Sequence, residues 1–217
     1  KRLRVPAALG NDANACALAE YTWGAGQGSR LMVFLTFGTG LGAGIVMDGK
    51  ILAGAADNAG ELGHWRMAAF GPSGYGKAGS LEGFCSGGGM AQTAEIIARQ
   101  YRQNGLPVGY AQTDVKTVAQ AARAGDAAAL DVFSLTAPQL GRGLALVLDF
   151  LSPDCVVMGS IYARWQDLLE AGMRKAMEKE ALPIAVSACR IVPARLGEQI
   201  GDYAALSLAR RAAGQGG

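Results

Sequence analysis

The stretch LMVFLTFGTGLGAGIVMDGKILAG, residues 31–54, constrains the fold more than any other part of the chain. Two apolar, β-rich runs flank a segment in which glycine recurs at positions 38, 40, 42 and 44, and Asp48-Gly49 offers a second reversal soon after. Asp-Gly favours a tight hairpin because both central residues of that turn take positive φ. The glycine run itself has two readings that the residues leave open. It can be a plain hairpin, or a cradle whose backbone N–H groups face a phosphate, with Thr36 and Thr39 adding hydroxyl donors. No lysine follows the last glycine of the run, which leads into a strand, so neither a P-loop nor a dinucleotide fingerprint has its required context.

The rest of the chain predicts helices to cover such a sheet. Residues 11–24 read as an Ala-rich helix that Asn11 or Asp12 can cap and Gly24 ends. Further helices are expected at about 90–103, near 114–124, and from Asp126 to about Leu151, where Ser152-Pro153 stops the last and Pro138 predicts a kink or break within it. DCVVMGS reads as a short buried strand, YARWQDLLEAGMRKAMEKEA as an amphipathic helix, ACRIVPARLG as one more strand, and 199–213 as a closing helix before a frayed GQGG tail. Between Asp57 and Gly89 the composition shifts to Gly, Pro, Ser and aromatics, predicting an irregular loop region too long to be a mere connector. The order describes an α/β chain with helices packed on a sheet.

Composition narrows the partners. Half of the 217 residues are apolar and 18% are charged, enough for a substantial core in one large or two small domains. Twenty basic residues against eighteen acidic, without a basic run, leave no electrostatic footprint for nucleic acid. The longest apolar run, LGRGLALVLDFL, is interrupted by Arg142 and Asp149 and falls short of a membrane span. Cys16, Cys85, Cys155 and Cys189 show neither paired zinc spacing nor the density of a secreted scaffold, so free thiols of a cytoplasmic protein are expected. The opening KRLRVPAALG lacks the features of a signal peptide and reads as a strand cut from something longer, which predicts a fragment or a domain expressed alone.

Besides the glycine run, three places could carry chemistry. Asp12, at a helix N-terminus among free amides, can accept a proton or simply cap. In NAGELGHWRM, Glu61 and His64, the sole histidine, offer an acceptor and a donor-acceptor ring three residues apart, although a lone histidine also serves as a structural hydrogen-bonding group. Glu82 follows a glycine-bounded turn, and Gly87-Gly88-Gly89 opens a helix, either to bind an anion or as flexible punctuation.

Taken in order, GNDANA, TFGTGLGAGIVMDG, AGELGH, GSLEGFCSG and SPDCVVMGS resemble the landmarks of the ROK family of sugar kinases, repressors and related open reading frames, over nearly the whole chain. The resemblance implies an actin-like, ribonuclease-H-like α/β ATPase domain, its mixed sheet packed with helices. It implies transfer of the γ-phosphoryl group of ATP, with Mg²⁺, to a hydroxyl of a hexose or N-acetylhexosamine. Carried over by motif, Asp12 is the general base and Asn11 a sugar ligand, while Glu61, His64 and Glu82 make further hydroxyl or N-acetyl contacts. Gly38, Thr39, Gly40, Gly42 and Gly44 hold the ATP phosphates, and Gly159 and Ser160 line the nucleotide cleft. A homodimer is implied as well. The family's repressors supply the alternative, a sugar-sensing domain.

Two departures qualify the resemblance. Many relatives hold a structural zinc with the histidine of Glu-x-Gly-His and three cysteines of a Cys-x-Cys-Gly-x-x-Gly-Cys loop. Ser73, Tyr75 and Ser80 stand at those cysteine positions here, and hydroxyls are poor replacements for thiolates, so no zinc is expected. The loop that positions His64 must then be ordered by packing, with Tyr75 and Phe70 as the expected contributors. Relatives also open with a lobe carrying an Asp-x-Gly-x-Thr phosphate hairpin, which these residues do not contain, so residues 1–217 are expected to be the C-terminal lobe and inactive alone.

Overall fold

Along Leu31–Phe37 the side chains alternate between two apolar environments, Val33, Leu35 and Phe37 in one buried cluster and Met32 and Phe34 in another. A strand buried on both faces belongs in the middle of a sheet. In the computed structural model, which describes residues 9–214, that is where it lies.

The elements are α1 (Asp12–Trp23), β1 (Leu31–Phe37), β2 (Leu41–Met47), β3 (Lys50–Ile51), β4 (Ser73–Gly74), β5 (Lys77–Ala78), α2 (Leu81–Cys85), α3 (Gly87–Gln103), α4 (Val115–Arg123), α5 (Ala127–Leu151), β6 (Cys155–Met158), α6 (Ser160–Glu180), α7 (Pro183–Ala188), β7 (Arg190–Pro193) and α8 (Ile200–Gly214). The main sheet has the order β3-β2-β1-β6-β7. It is mixed: β2 runs antiparallel to β1 and β3, whereas β6 is parallel to both β1 and β7. Asp48 and Gly49 both take positive φ between β2 and β3, as the Asp-Gly signal requires.

Helices α5 and α6 cover one face, where Leu140, Leu144, Leu169 and Met173 meet Val33, Leu35, Val156 and Met158. On the other face α1 and α8 bring Ala17 and Ile200 against Met32, Phe34 and Val157. A fully buried carboxylate ties this second layer together. Glu20 accepts hydrogen bonds from the backbone N–H groups of Ala25 (2.7 Å), Arg195 (3.0 Å) and Leu196 (2.9 Å), joining the end of α1 to the segment after β7. Gly24 is needed beside it, because a Cβ there would run into the Glu20 carboxylate.

Several expectations change. α5 continues through Pro138 without a break. Its neighbours explain this: a Cβ on Gly141 would enter the Met173 carbonyl, and one on Gly172 would come within 3.0 Å of Ala137 Cβ, so α5 and α6 are clamped closely on both sides of the proline. The irregularity falls instead at Trp165 inside α6, where φ is −126° and ψ 31°. Arg123 lies 4.6 Å above that ring and pairs with Asp167 at 2.6 Å, bracing the distortion from α4. The 57–89 region is more ordered than its composition predicts, containing the β4–β5 hairpin, α2, and the start of α3 at Gly87. The short α7 was not expected. The strand predicted for residues 1–10 lies outside the described residues except for Leu9 and Gly10, as does the tail beyond Gly214. All four cysteines are free thiols, and no helix among the described residues is long and apolar enough to cross a membrane.

Candidate functional site

The glycine run is the reversal of a β-hairpin. Phe37 and Leu41 close the antiparallel β1–β2 pairing around Gly38-Thr39-Gly40, and the Gly38 N–H donates to the Gly40 carbonyl at 3.1 Å. None of Gly38, Gly40, Gly42 and Gly44 takes positive φ; a Cβ would be crowded at Gly40, 2.9 Å from a Glu82 carboxylate oxygen, and at Gly44, but not at Gly38 or Gly42. The carbonyls of Gly38 and Thr39 accept from the N–H groups of Gly87 (2.8 Å) and Gly88 (3.3 Å) at the start of α3. Gly87 and Gly88 of the three-glycine run thus use their amides to brace the turn, and a Cβ on Gly87 would stand 2.9 Å from the Gly38 oxygen. Among the described residues, the N–H groups of Thr39 and Gly40, both exposed residues, have no protein acceptor and are open to another one. Gly42 and Gly44 lie in β2 beyond the turn. Gly44 is buried under α1: a Cβ there would enter the Ala13 carbonyl and come within 2.6 Å of Ala17 Cβ.

Next to the turn is a cavity of about 570 Å³ lined by Leu41, Asn58, Glu61, His64, Tyr75 and Glu82. Close contacts position the segments that carry Glu61, His64 and Glu82. The Ala43 N–H donates to the Gly60 carbonyl (3.0 Å), setting the 60–61 segment beside β2, and Gly63 sits directly on the Leu41 carbonyl where no Cβ would fit. Leu62–His64 then form a short 3-10 turn. Glu82 lies in α2, which Ser80 caps by accepting from the Gly83 N–H at 3.1 Å. One Glu82 oxygen accepts from the Leu41 N–H at 2.9 Å, so a single carboxylate both lines the cavity and holds the end of the glycine turn. Asn58 also lines the cavity, although in the Asp57-Asn58 pair of a Gly/Ala-rich segment it reads as an ordinary turn residue.

Side-chain contacts fix the loop that supports His64. Ser73 is gripped by Gln92 of α3, whose Oε1 accepts from the Ser73 N–H (3.0 Å) and whose Nε2 donates to the Ser73 carbonyl (2.9 Å). Lys77 donates to the His64 carbonyl, and the Tyr75 ring meets the imidazole edge-on at 5.1 Å. Tyr75 therefore contacts His64 as expected. Phe70, 87% exposed, makes no aromatic contact with His64 among the described residues. Among the described residues, no group of three His, Cys, Asp or Glu side chains is placed to hold a metal ion.

Asn11 and Asp12 lie apart from that cavity's lining. Asn11 caps α1, its side-chain oxygen accepting from the Asn14 N–H at 3.1 Å, and Asp12 accepts from the Ala13 N–H at 2.8 Å. The first turn of α1 is pressed onto Gly44, in the strand that leaves the glycine turn, and both side chains are exposed there. One turn further along, Cys16 enters a second cavity of about 410 Å³, shared with Thr36, Phe37, Gly159, Ser160 and Glu198. Burial, then the charges of Asp12 and Glu20, push the Cys16 thiol up to about 11, so it is protonated at neutral pH. Gly159 donates to the Leu35 carbonyl (2.8 Å) and Ser160 Oγ to the Phe37 carbonyl (2.6 Å), fixing the start of α6 against the end of β1. Arg164 and Glu198 pair across this cavity's lining. This cleft is partly apolar and includes the start of α6 at Ser160.

The sequence matches the model of the ROK family over residues 1–212. It is 36% identical over 203 residues to a glucokinase of Halalkalibacterium halodurans, an alignment covering 91% of this chain and 62% of that protein. The chain therefore spans about three fifths of that relative's length. Among solved structures, a ROK family glucokinase from Streptomyces griseus in complex with glucose and AMPPNP superimposes with a TM-score of 0.78 at 32% identity, covering 94% of this chain and 68% of that one. A ROK family transcriptional regulator, a homologue of the E. coli MLC protein, gives a TM-score of 0.81 at 29% identity, with 94% and 51% coverage.

Proposed function

Since the chain belongs to the ROK family and has its actin-like α/β fold, we propose that it forms the C-terminal lobe of an ATP-dependent sugar kinase acting on a hexose or N-acetylhexosamine. The observation that carries this reading is the double engagement of Glu82, which sets an acidic, histidine-containing cavity one hydrogen bond away from a glycine turn with free amides. Carboxylates and an imidazole suit sugar hydroxyls. Exposed amides and the start of α6 suit phosphates.

In this mechanism Asn11, Glu61, His64 and Glu82 bind and orient the sugar, and Asp12 accepts the proton of the attacking hydroxyl. The N–H groups of Thr39 and Gly40 hold phosphate oxygens, and Gly159 and Ser160 border the adenosine side. ATP with Mg²⁺ supplies the transferable phosphoryl group and neutralises its charge. The protein's contribution is mainly position, since phosphoryl transfer needs little covalent help. ATP as donor assigns the reaction to the cytoplasm, and a zinc-free homodimer completes the proposal.

The test is ADP release by the full-length protein across a panel of hexoses and N-acetylhexosamines. Asp12→Asn should lower kcat by about 100-fold or more while sugar binding persists. Unchanged turnover would remove Asp12 from the mechanism. The likeness to the regulator favours a second reading, a sugar-sensing domain, which would bind sugar and release no ADP.

A further inference from the structure

We propose that Tyr75 is the aromatic wall of the sugar cavity, stacking its ring on the C–H face of a pyranose whose hydroxyls reach Glu61, His64 and Glu82. The inference rests on the reading of that cavity as the sugar site.

Three observations about Tyr75 go beyond its edge-on contact with His64. Its side chain is 85% exposed, yet it lines the same cavity as the acidic residues and the histidine. Its backbone is left-handed, with φ 47°, at the first central position of the two-residue turn that joins Gly74 to Lys77; Gly76, the second, has φ 75°. That turn geometry favours Asn, Asp or Gly at Tyr75, and a bulky side chain there is strained. No hydrogen bond among the described residues engages the phenol, so neither burial nor bonding offsets the strain. Strain of this kind is characteristic of functional positions.

The ring is nonetheless held in place. Gln92 grips Ser73 on one side of the turn, Lys77 binds the His64 carbonyl on the other, and the imidazole meets the ring at 87°. A tyrosine has only two side-chain torsions and presents a rigid π face, electronegative at its centre. Axial C–H groups of a pyranose are the complementary surface. The carboxylates and imidazole can satisfy hydroxyls, but the apolar face of the sugar needs a partner of this type, and Tyr75 is the aromatic residue in the lining. The site should therefore prefer pyranoses whose hydroxyls are equatorial on the stacked face and discriminate against an axial hydroxyl there.

Calorimetric titration of D-glucose, D-mannose and N-acetyl-D-glucosamine into the full-length protein tests this, with Tm recorded for each variant. Tyr75→Asn suits the turn, so Tm should hold or rise, while Kd for the preferred sugar weakens about tenfold. Tyr75→Phe keeps the ring and should stay within about twofold of the wild type. Wild-type affinity in Tyr75→Asn would overturn the inference and leave the sugar site standing. So would weakened binding accompanied by a lowered Tm, which would mark a structural role. A wild type that binds none of the sugars would overturn the reading of the cavity and this inference with it.

Discussion

Replacing Gly44 by alanine separates a packing glycine from a phosphate-binding one. The added Cβ would stand 2.6 Å from Ala17 Cβ and inside the Ala13 carbonyl, both in α1. Carbon atoms in ordinary contact are about 3.5–4.0 Å apart, so α1 must retreat by about 1 Å from β2. Overpacking of this kind costs about 1–3 kcal/mol, partly offset by the roughly 0.4–1 kcal/mol gained when a glycine is removed from the unfolded chain. A net loss of about 1–2 kcal/mol corresponds to a fall in Tm of about 2–8 °C for a domain of this size. Gly42→Ala is the internal control, because its Cβ would meet only Thr36 Cγ2, at an ordinary 3.5 Å. It should leave Tm unchanged or raise it by about 1–3 °C. Thermal unfolding of both variants, followed by circular dichroism, reads the difference. If Gly44→Ala kept its Tm and lost only nucleotide affinity, Gly44 would belong to the cradle and the packing argument would be wrong.

Glu20→Gln should be more damaging than a charge-neutral swap usually is, since one amide oxygen cannot serve the three N–H donors of Ala25, Arg195 and Leu196. Loss of at least one bond to a charged acceptor predicts about 1.5–3 kcal/mol of destabilisation, measured by urea unfolding, with faster amide exchange at Arg195 and Leu196; unaltered exchange there would contradict the role given to Glu20. Cys16, with its thiol pushed up to about 11, should react slowly with iodoacetamide at pH 8, since only about 0.1% is thiolate, and about tenfold faster for each pH unit above that. Bound nucleotide should slow the reaction further, and labelling at the rate of free cysteine would contradict the half-buried placement beside Asp12 and Glu20.

What could be read from the sequence was what local periodicity and turn chemistry determine. The β1–β2–β3 meander followed from two apolar, β-rich runs about a glycine turn and from Asp48-Gly49, and α1 from Asn11 and Gly24 at its ends. The β4–β5 hairpin was hidden because SGYGKAGS is rich in turn residues and its order comes from Gln92, nineteen positions away in the chain. Pro138 suggested a break that the close approach of Gly141 and Gly172 to the opposing helix overrides. For the candidate site, the motifs named Glu61, His64 and Glu82, which line one cavity, but not Asn58. The burial of Glu20 was illegible for a similar reason. A glutamate near the end of an Ala-rich helix looks solvated until the partners from residues 195 and 196 are brought beside it.

The grip of Glu82 on the Leu41 amide limits what evolution can do at position 82. An aspartate there would be one methylene too short to span from α2 to the loop tip and still reach the pocket, whereas a glutamine would present an amide of which only the oxygen can take the strand's proton. Side-chain reach, as much as acidity, makes glutamate the residue that lets sugar recognition and loop anchorage share one functional group.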